Sequence, residues 1–148
     1  MLRIEELHSN EDFEKIGITR DQYIDFLFEY LDKFGDPKPA INKCLDYAFS
    51  KKEGLGGFAL AAFEDEKLMG ALIMNKTGME GYIPENILVY VAVHRDARGK
   101  GFGRQICEKS IEMADGDVKL HVEYDNPAKR LYERIGFTNK YAEMRYNK

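Results

Sequence analysis

The sequence predicts a mixed α/β domain, a mostly antiparallel sheet with helices on both of its faces. Three observations carry that prediction. Apolar runs with β-branched or aromatic members at 58–63, 67–75 and 87–93 have the length of strands. Apolar residues recur at helical spacing over 24–34, 41–49 and 106–114. Glycine, proline and asparagine fall between these stretches and separate them. With 148 residues, 44% hydrophobic and 12% aromatic, the chain has material for one core, and no internal repeat divides it. We therefore expect a single domain over 1–148.

Leu2 to Leu7 reads as a first strand, with Leu2, Ile4 and Leu7 inward. Asn10 to Lys15 begins a short helical turn. Thr19 is a candidate N-cap for a helix whose stripe is Ile24, Leu27, Phe28, Leu31 and Phe34. Tyr23, Phe26 and Tyr30 lie partly off that stripe, as packing or as the wall of a pocket. Gly35-Asp36-Pro37 breaks the helix, and Pro39 can open the next, with Ile41, Cys44, Leu45, Ala48 and Phe49 as its core face. Phe58 to Phe63 and Lys67 to Asn75 read as a hairpin turned at Glu64-Asp65-Glu66. Thr77 to Pro84 is a loop. Ile87 to Val93 reads as a strand buried on both faces. A helix carrying Ile106, Cys107, Ile111 and Ala114 follows it. Leu120, Val122 and Tyr124 alternate as a strand, Asn126-Pro127 turns the chain, and Ala128 to Ile135 forms a helix stopped by Gly136. Tyr141 to Tyr146 is a candidate last strand.

Charge and composition exclude several classes of function. The chain has 22 basic and 26 acidic residues, for a net −4. Residues 1–37 hold 4 of the basic and 10 of the acidic ones. An acidic first third argues against nucleic acid, which needs a basic face. It suits a cationic amine, and equally a solvated helix face. No apolar run approaches membrane-spanning length, and the start Met1-Leu2-Arg3-Ile4-Glu5-Glu6 is charged from the outset, so we expect a cytoplasmic protein. Cys44 and Cys107 sit on apolar stripes and read as buried reduced thiols. His8, His94 and His121 lack metal-ligand spacing, so no metal is expected.

The most informative stretch joins the 87–93 strand to the helix after Gly103, which carries Ile106, Cys107, Ile111 and Ala114, through Arg98-Gly99-Lys100-Gly101-Phe102-Gly103. Glycines at alternate positions let a turn direct its amides inward and let an anion approach the backbone. The helix start adds unpaired N–H groups and a positive dipole end, and Arg95, Arg98, Lys100 and Arg104 add cations. This is a site for a phosphate or pyrophosphate. Lys100 is followed by Gly101, not Ser or Thr, so the P-loop pattern fails. Ile106 stands where the dinucleotide fingerprint needs its third glycine.

What fits is Arg-x-x-Gly-x-Gly at Arg98, Gly101 and Gly103, after a strand ending Val-x-Val at Val91 and Val93. A second stretch, KLHVEYDNPAKRLYERIGF from Lys119, carries a strand, an asparagine turn, and a helix with Ala-x-x-Leu-Tyr before Gly-Phe. Together, over 86–138, the two resemble the acetyl-CoA-binding core and last helix of the GNAT superfamily of N-acetyltransferases. The resemblance implies that fold, with a central mixed, mostly antiparallel sheet of about six to seven strands. It implies acetyl-CoA as cofactor, its pyrophosphate held by Arg98, Gly99, Lys100, Gly101, Phe102, Gly103 and Arg104. The pantetheine arm would lie beside Val91, Ala92 and Val93, and a bulge in that strand would free an amide near Val91 or Ala92 for the thioester oxygen.

In the same resemblance Tyr132 is the general acid that protonates the departing thiolate, since a phenol with pKa about 10 can serve a thiol of about 8.5. The attacking amine must be neutral. For a lysine-like amine this costs roughly 4 kcal/mol near pH 7.4, and for a peptide α-amine almost nothing. The family's strand glutamate falls here at Ile87. Glu85, two residues earlier, is the candidate base, with Glu123 and Glu80 as rivals. The turn before Tyr132 is one residue shorter than usual, so Asn126 or Asp125 meets the pantetheine arm; we take Asn126. The implied acceptor is a small-molecule or peptide amine, and many similar proteins pair as homodimers through their last strands. Two alternatives stand beside the N-acetyltransferase reading: an acyl-CoA-binding regulatory module of the same fold, and a nucleotide-binding domain using the same turn.

Overall fold

In the computed structural model, which describes residues 1–148, the chain begins with β1 (Leu2–Leu7) and three helices, α1 (Glu11–Ile16), α2 (Arg20–Leu31) and α3 (Lys38–Ala48). The β2 (Gly57–Glu64) and β3 (Lys67–Lys76) hairpin follows, then β4 (Asn86–Val93), α4 (Phe102–Met113), β5 (Val118–Leu120) and α5 (Ala128–Ile135). Short 3-10 turns at Asp32–Phe34 and Arg95–Ala97 close α2 and β4. The strands lie in sequence order, antiparallel from β1 to β4, with β5 parallel to β4.

The β2 and β3 strands are covered on both faces, which is why their sequences read as continuous apolar runs. Ala59, Ala61, Phe63, Ala71 and Ile73 pack under Tyr23, Leu27, Ile41 and Leu45 of α2 and α3. Leu60, Ala62, Leu72 and Met74 face Ile106 and Cys107 of α4 and Tyr132 of α5. Small alanines on the first face leave room for Tyr23, which is fully buried. Its hydroxyl lies 2.9 Å from the carbonyl oxygens of both Leu60 and Leu72, a cross-strand pair, so the one polar atom that α2 buries has acceptors waiting. Thr19 caps α2 in a reciprocal box with Gln22.

Five strands form, fewer than the six to seven expected. Residues 138–148 hold no regular structure, and Tyr141, Met144 and Tyr146 are exposed, so the expected last strand is corrected to an irregular tail. The β5 strand, expected over 120–124, is limited to Val118–Leu120. One cause accounts for its early end. Ile73 of β3 pairs with Tyr90 and Met74 with Leu88, so Val89 is an extra residue, a β-bulge. The β4–β5 ladder stops at Leu88↔Leu120, beside the bulge, and the two strands then part. Without a ladder partner, His121 to Tyr124 cannot continue as strand and instead form one side of a cleft.

Candidate active site

The parting of β4 and β5 opens a cleft of about 840 Å³. Ile87 to Val93 line one wall, and His121 to Tyr124, Asn126, Leu131 and Tyr132 line the other. The end of α2 (Tyr30), its 3-10 turn (Asp32, Phe34) and Asp36 beyond it also line the cleft, and Arg98 and Gly103 stand at the start of α4. Beyond Leu88, β4 has no strand on this side. Alternate amides of its free edge therefore point into the cleft.

The turn before α4 is rich in idle donors. Between Gly99 and Arg104 only the Lys100 amide is used, donating to Ala97 O at 3.2 Å. The first internal bond of α4 runs from Gln105 N to Gly101 O, which leaves the N–H groups of Gly99, Gly101, Phe102, Gly103 and Arg104 without a protein acceptor. Gly99 and Gly101 have φ of +82° and +79°, a left-handed conformation that side chains resist. A Cβ at either would touch nothing, so glycine is there for the backbone shape. At Gly103 a Cβ would lie 3.3 Å from Leu131, and there glycine serves close packing of α4 on α5.

The cations around this turn are unequal. Lys100 pairs with Glu64 at 3.3 Å, Arg104 with Glu108 at 3.4 Å, and Arg95 with Glu29 at 3.8 Å. Arg98 has no ion pair, and it lines the cleft. Such surface pairs contribute about 0–1 kcal/mol, so an incoming anion can exchange them cheaply. The donor set fits the diphosphate of CoA: five unpaired amides in a tight turn, a helix start and an uncommitted guanidinium.

Tyr132 projects from α5 into the second core, almost wholly buried, with its ring edge-on to Phe137 at 5.9 Å. Its hydroxyl has no protein partner. Burial raises its pKa above the ordinary phenol value, with the charges of Cys107 and Glu123 acting in the same direction. The phenol is thus held in its proton-bearing form. Asn126 lines the same wall; its Oδ1 accepts from Ala128 N at 2.9 Å, which starts α5, while its Nδ2 is free. Asp125 is not among the cleft residues and lies within 3.7 Å of Lys33.

Glu85 is placed elsewhere. It lies outside the cleft, at the closed end of β4, where Oε1 accepts from Asp117 N at 2.7 Å and Oε2 from Gly81 N at 3.3 Å. These backbone bonds hold its pKa below the usual carboxylate range. A carboxylate so engaged ties two loops together and is poorly suited to take a proton. Glu80 is also outside the cleft, whereas Glu123 lines it and acts on Tyr132. His94 is committed as well: its Nδ1 accepts from Asp96 N, and its ring stacks on Tyr30 at 4.6 Å. Of the four aromatics on α2, Tyr23 and Phe26 are core, Phe28 is exposed, and only Tyr30 reaches the cleft.

The sequence reading passed over Asp36, Tyr90 and Arg145. Tyr90 OH donates to Asp36 Oδ2 at 2.5 Å inside the cleft rim, and Arg145 reaches the cleft bonded to Glu143. The one local signal for Asp36 was the Gly-Asp-Pro break, which reads equally well as a plain helix stop.

Among solved structures, an aminoglycoside N-acetyltransferase in complex with CoA superimposes with a TM-score of 0.69 at 14% identity, covering 100% of this chain and 95% of that one. A glucosamine-6-phosphate N-acetyltransferase from Arabidopsis thaliana gives 0.59 at 17% identity, over 99% and 98% of the two chains. A transcriptional regulator from Bacillus halodurans C-125 gives 0.66 at 19%, over 99% of both. At these identities the likeness is one of fold. No curated protein matches the sequence. No helix is long and apolar enough to cross a membrane. The acetyltransferase (GNAT) family model matches residues 18–137, most of the chain, and the protein belongs to that family.

Proposed function

We infer that the protein is an N-acetyltransferase that moves an acetyl group from acetyl-CoA to a primary amine by direct attack in a ternary complex. The observation that carries this reading is the cleft itself, with idle amides and Arg98 at one end and a buried phenol in its wall. Acetyl-CoA, when bound, supplies the activated thioester. The turn amides from Gly99 to Arg104 hold its diphosphate, and each charge-assisted bond contributes on the order of 1.5–3 kcal/mol. The free edge of β4 from Val91 to Val93 receives the pantetheine amides, with Asn126 Nδ2 opposite. An amide at Val91 or Ala92 donates to the thioester oxygen as it gains charge.

Tyr132 keeps a proton for the sulfur; burial holds the phenol protonated but also makes it a weaker acid, so the proton passes to sulfur in concert with C–S cleavage. Glu123 is the carboxylate in the cleft closest in influence to Tyr132, and it replaces Glu85 as the candidate base. A peptide α-amine needs little help from a base and a lysine-like amine more.

A second reading remains, a regulatory module that binds acyl-CoA without turnover. Two observations favour keeping it: Ile87 occupies the family's strand-glutamate position, and one structural neighbour is described as a transcriptional regulator. A thermal-shift titration with CoA against ATP, followed by an amine screen read by thiol release, separates the readings. CoA stabilisation with release supports the enzyme. Stabilisation without release for any amine supports the module, and a response to ATP alone sinks both.

A further inference from the structure

We propose that Asp36, oriented by Tyr90, is the acceptor-selecting residue of this cleft and that it docks the ammonium of a cationic amine carrying no phosphate or carboxylate. The inference rests on the acetyltransferase reading and narrows its acceptor.

The chain builds this position from two directions. Gly35-Asp36-Pro37 joins the 3-10 turn after α2 to α3, and Asp36 belongs to neither helix, as the proline that follows it disfavours a helical residue there. From the sheet, the Val89 bulge turns two successive side chains, Val89 and Tyr90, to the α2–α3 face. Tyr90 thus buries its ring while its hydroxyl reaches Asp36 Oδ2 at 2.5 Å, a short charge-assisted bond. The same bulge that opens the cleft therefore also fixes the carboxylate at its rim.

Asp36 is then left without a cation. Both lysines beside it in sequence are turned to other acids, Lys33 to Asp125 at 3.7 Å and Lys38 to Asp25 at 2.8 Å. Arg145 also enters the cleft and feels the charge of Asp36, but its guanidinium is bonded to Glu143. Oδ1 of Asp36 has no hydrogen bond, so one carboxylate oxygen is oriented and idle. Near the start of α4 the uncommitted charge lining the cleft is the opposite one, Arg98. The cleft thus offers both signs: Arg98 and the turn amides suit a diphosphate, and Asp36 suits an ammonium. An acceptor bearing its own anion would meet Asp36 with the wrong sign. Primary amines are protonated at neutral pH, so a carboxylate here selects them on arrival.

The test is a binding titration that needs no turnover. 1,4-Diaminobutane, 4-aminobutanoate and 1,4-butanediol are titrated by calorimetry into the protein with and without CoA. The diamine is expected to bind, more weakly as salt rises, and the other two to bind at least ten-fold less tightly. Asp36→Asn, whose amide oxygen still accepts from Tyr90, is expected to weaken the diamine about ten-fold or more while leaving the CoA-induced thermal shift intact. Tyr90→Phe should give a smaller loss, with the same folded spectrum. A diamine that binds Asp36→Asn as well as wild type, or fails to bind wild type, overturns the assignment. So does 4-aminobutanoate binding as tightly as the diamine. If CoA gives no shift yet Asp36→Asn abolishes diamine binding, the acetyltransferase reading falls and the ammonium site stands.

Discussion

Glu85 Oε1 accepts a 2.7 Å hydrogen bond from the amide of Asp117, joining the start of β4 to the start of β5. A Cβ at Gly116 would lie 2.5 Å from that same oxygen, so the chain must pass the carboxylate without a side chain. The contact clamps the closed end of the strands whose other ends part. Because the folded-state pKa is depressed by the Asp117 amide first, the charged form stabilises the fold above the unfolded-state pKa. That contribution is lost as pH falls through the folded value. Glu85→Gln is expected to lower the thermal midpoint at neutral pH, and wild type should converge on the variant in acid. The pH profile of turnover should not move. A shifted profile with unchanged stability would restore Glu85 as a base.

Tyr132 carries the opposite expectation. Its burial raises the phenol pKa, so the proton stays on through neutral and mildly alkaline pH and leaves only above the ordinary value of about 10. Tyr132→Phe keeps the edge-on contact with Phe137 and removes only the hydroxyl. Turnover is expected to fall roughly 100-fold or more, the usual scale for a general acid, with the CoA thermal shift unchanged. The wild-type rate should show no alkaline limb from this group below about pH 10. Equal turnover in the variant excludes Tyr132 as the proton donor.

Arg98 is the one cation of the turn with no carboxylate partner, so its loss is not cushioned by a rearranging ion pair. Arg98→Gln is expected to weaken CoA about ten-fold or more and to flatten the salt dependence of binding. Lys100→Gln and Arg104→Gln, whose charges are already shared with Glu64 and Glu108, should cost less. Gly101→Ala meets no atom but strains a left-handed backbone by roughly 1–2 kcal/mol, and it should weaken CoA by displacing amides rather than by blocking space. The order of these four affinities, measured in one buffer, checks the division of labour.

How far could the sequence be read? Features written in local spacing were legible: the Thr19 cap, the 87–93 strand, the glycine turn and the stripe of α4. Their physics lies within one or two turns of chain. The count of strands was not legible, because Tyr141–Tyr146 alternates like a strand yet has no ladder to join once β5 ends at Leu120. That Glu85 lies outside the cleft was not legible, because strand parity gives a face and not a distance; its partner is 32 residues away. Asp36 and Tyr90 are 54 residues apart, and only the packing of α2 on β4 brings them together. Side chains whose role depends on such closures are invisible to periodicity, whereas a turn that must present its own amides announces itself by composition.

The bulge itself can be tested by removing it. Leu88 faces α4 and α5, Val89 and Tyr90 both face α2 and α3, and Val91, Ala92 and Val93 then alternate. Deleting Val89 therefore leaves every remaining side chain of β4 on its present face, which an ordinary one-residue slip would not do. The 77–85 loop can take up the displacement of about 3.3 Å. The deletion variant is expected to fold cooperatively, with β4 paired regularly to β3 along its length. Without the bulge, β4 and β5 should run together past Leu88↔Leu120, using the edge amides that would otherwise meet the pantetheine arm. CoA should then give no thermal shift, even though the 98–104 turn is unaltered in sequence. A deletion variant that binds CoA like wild type would show that the parted strands are not what seats the cofactor.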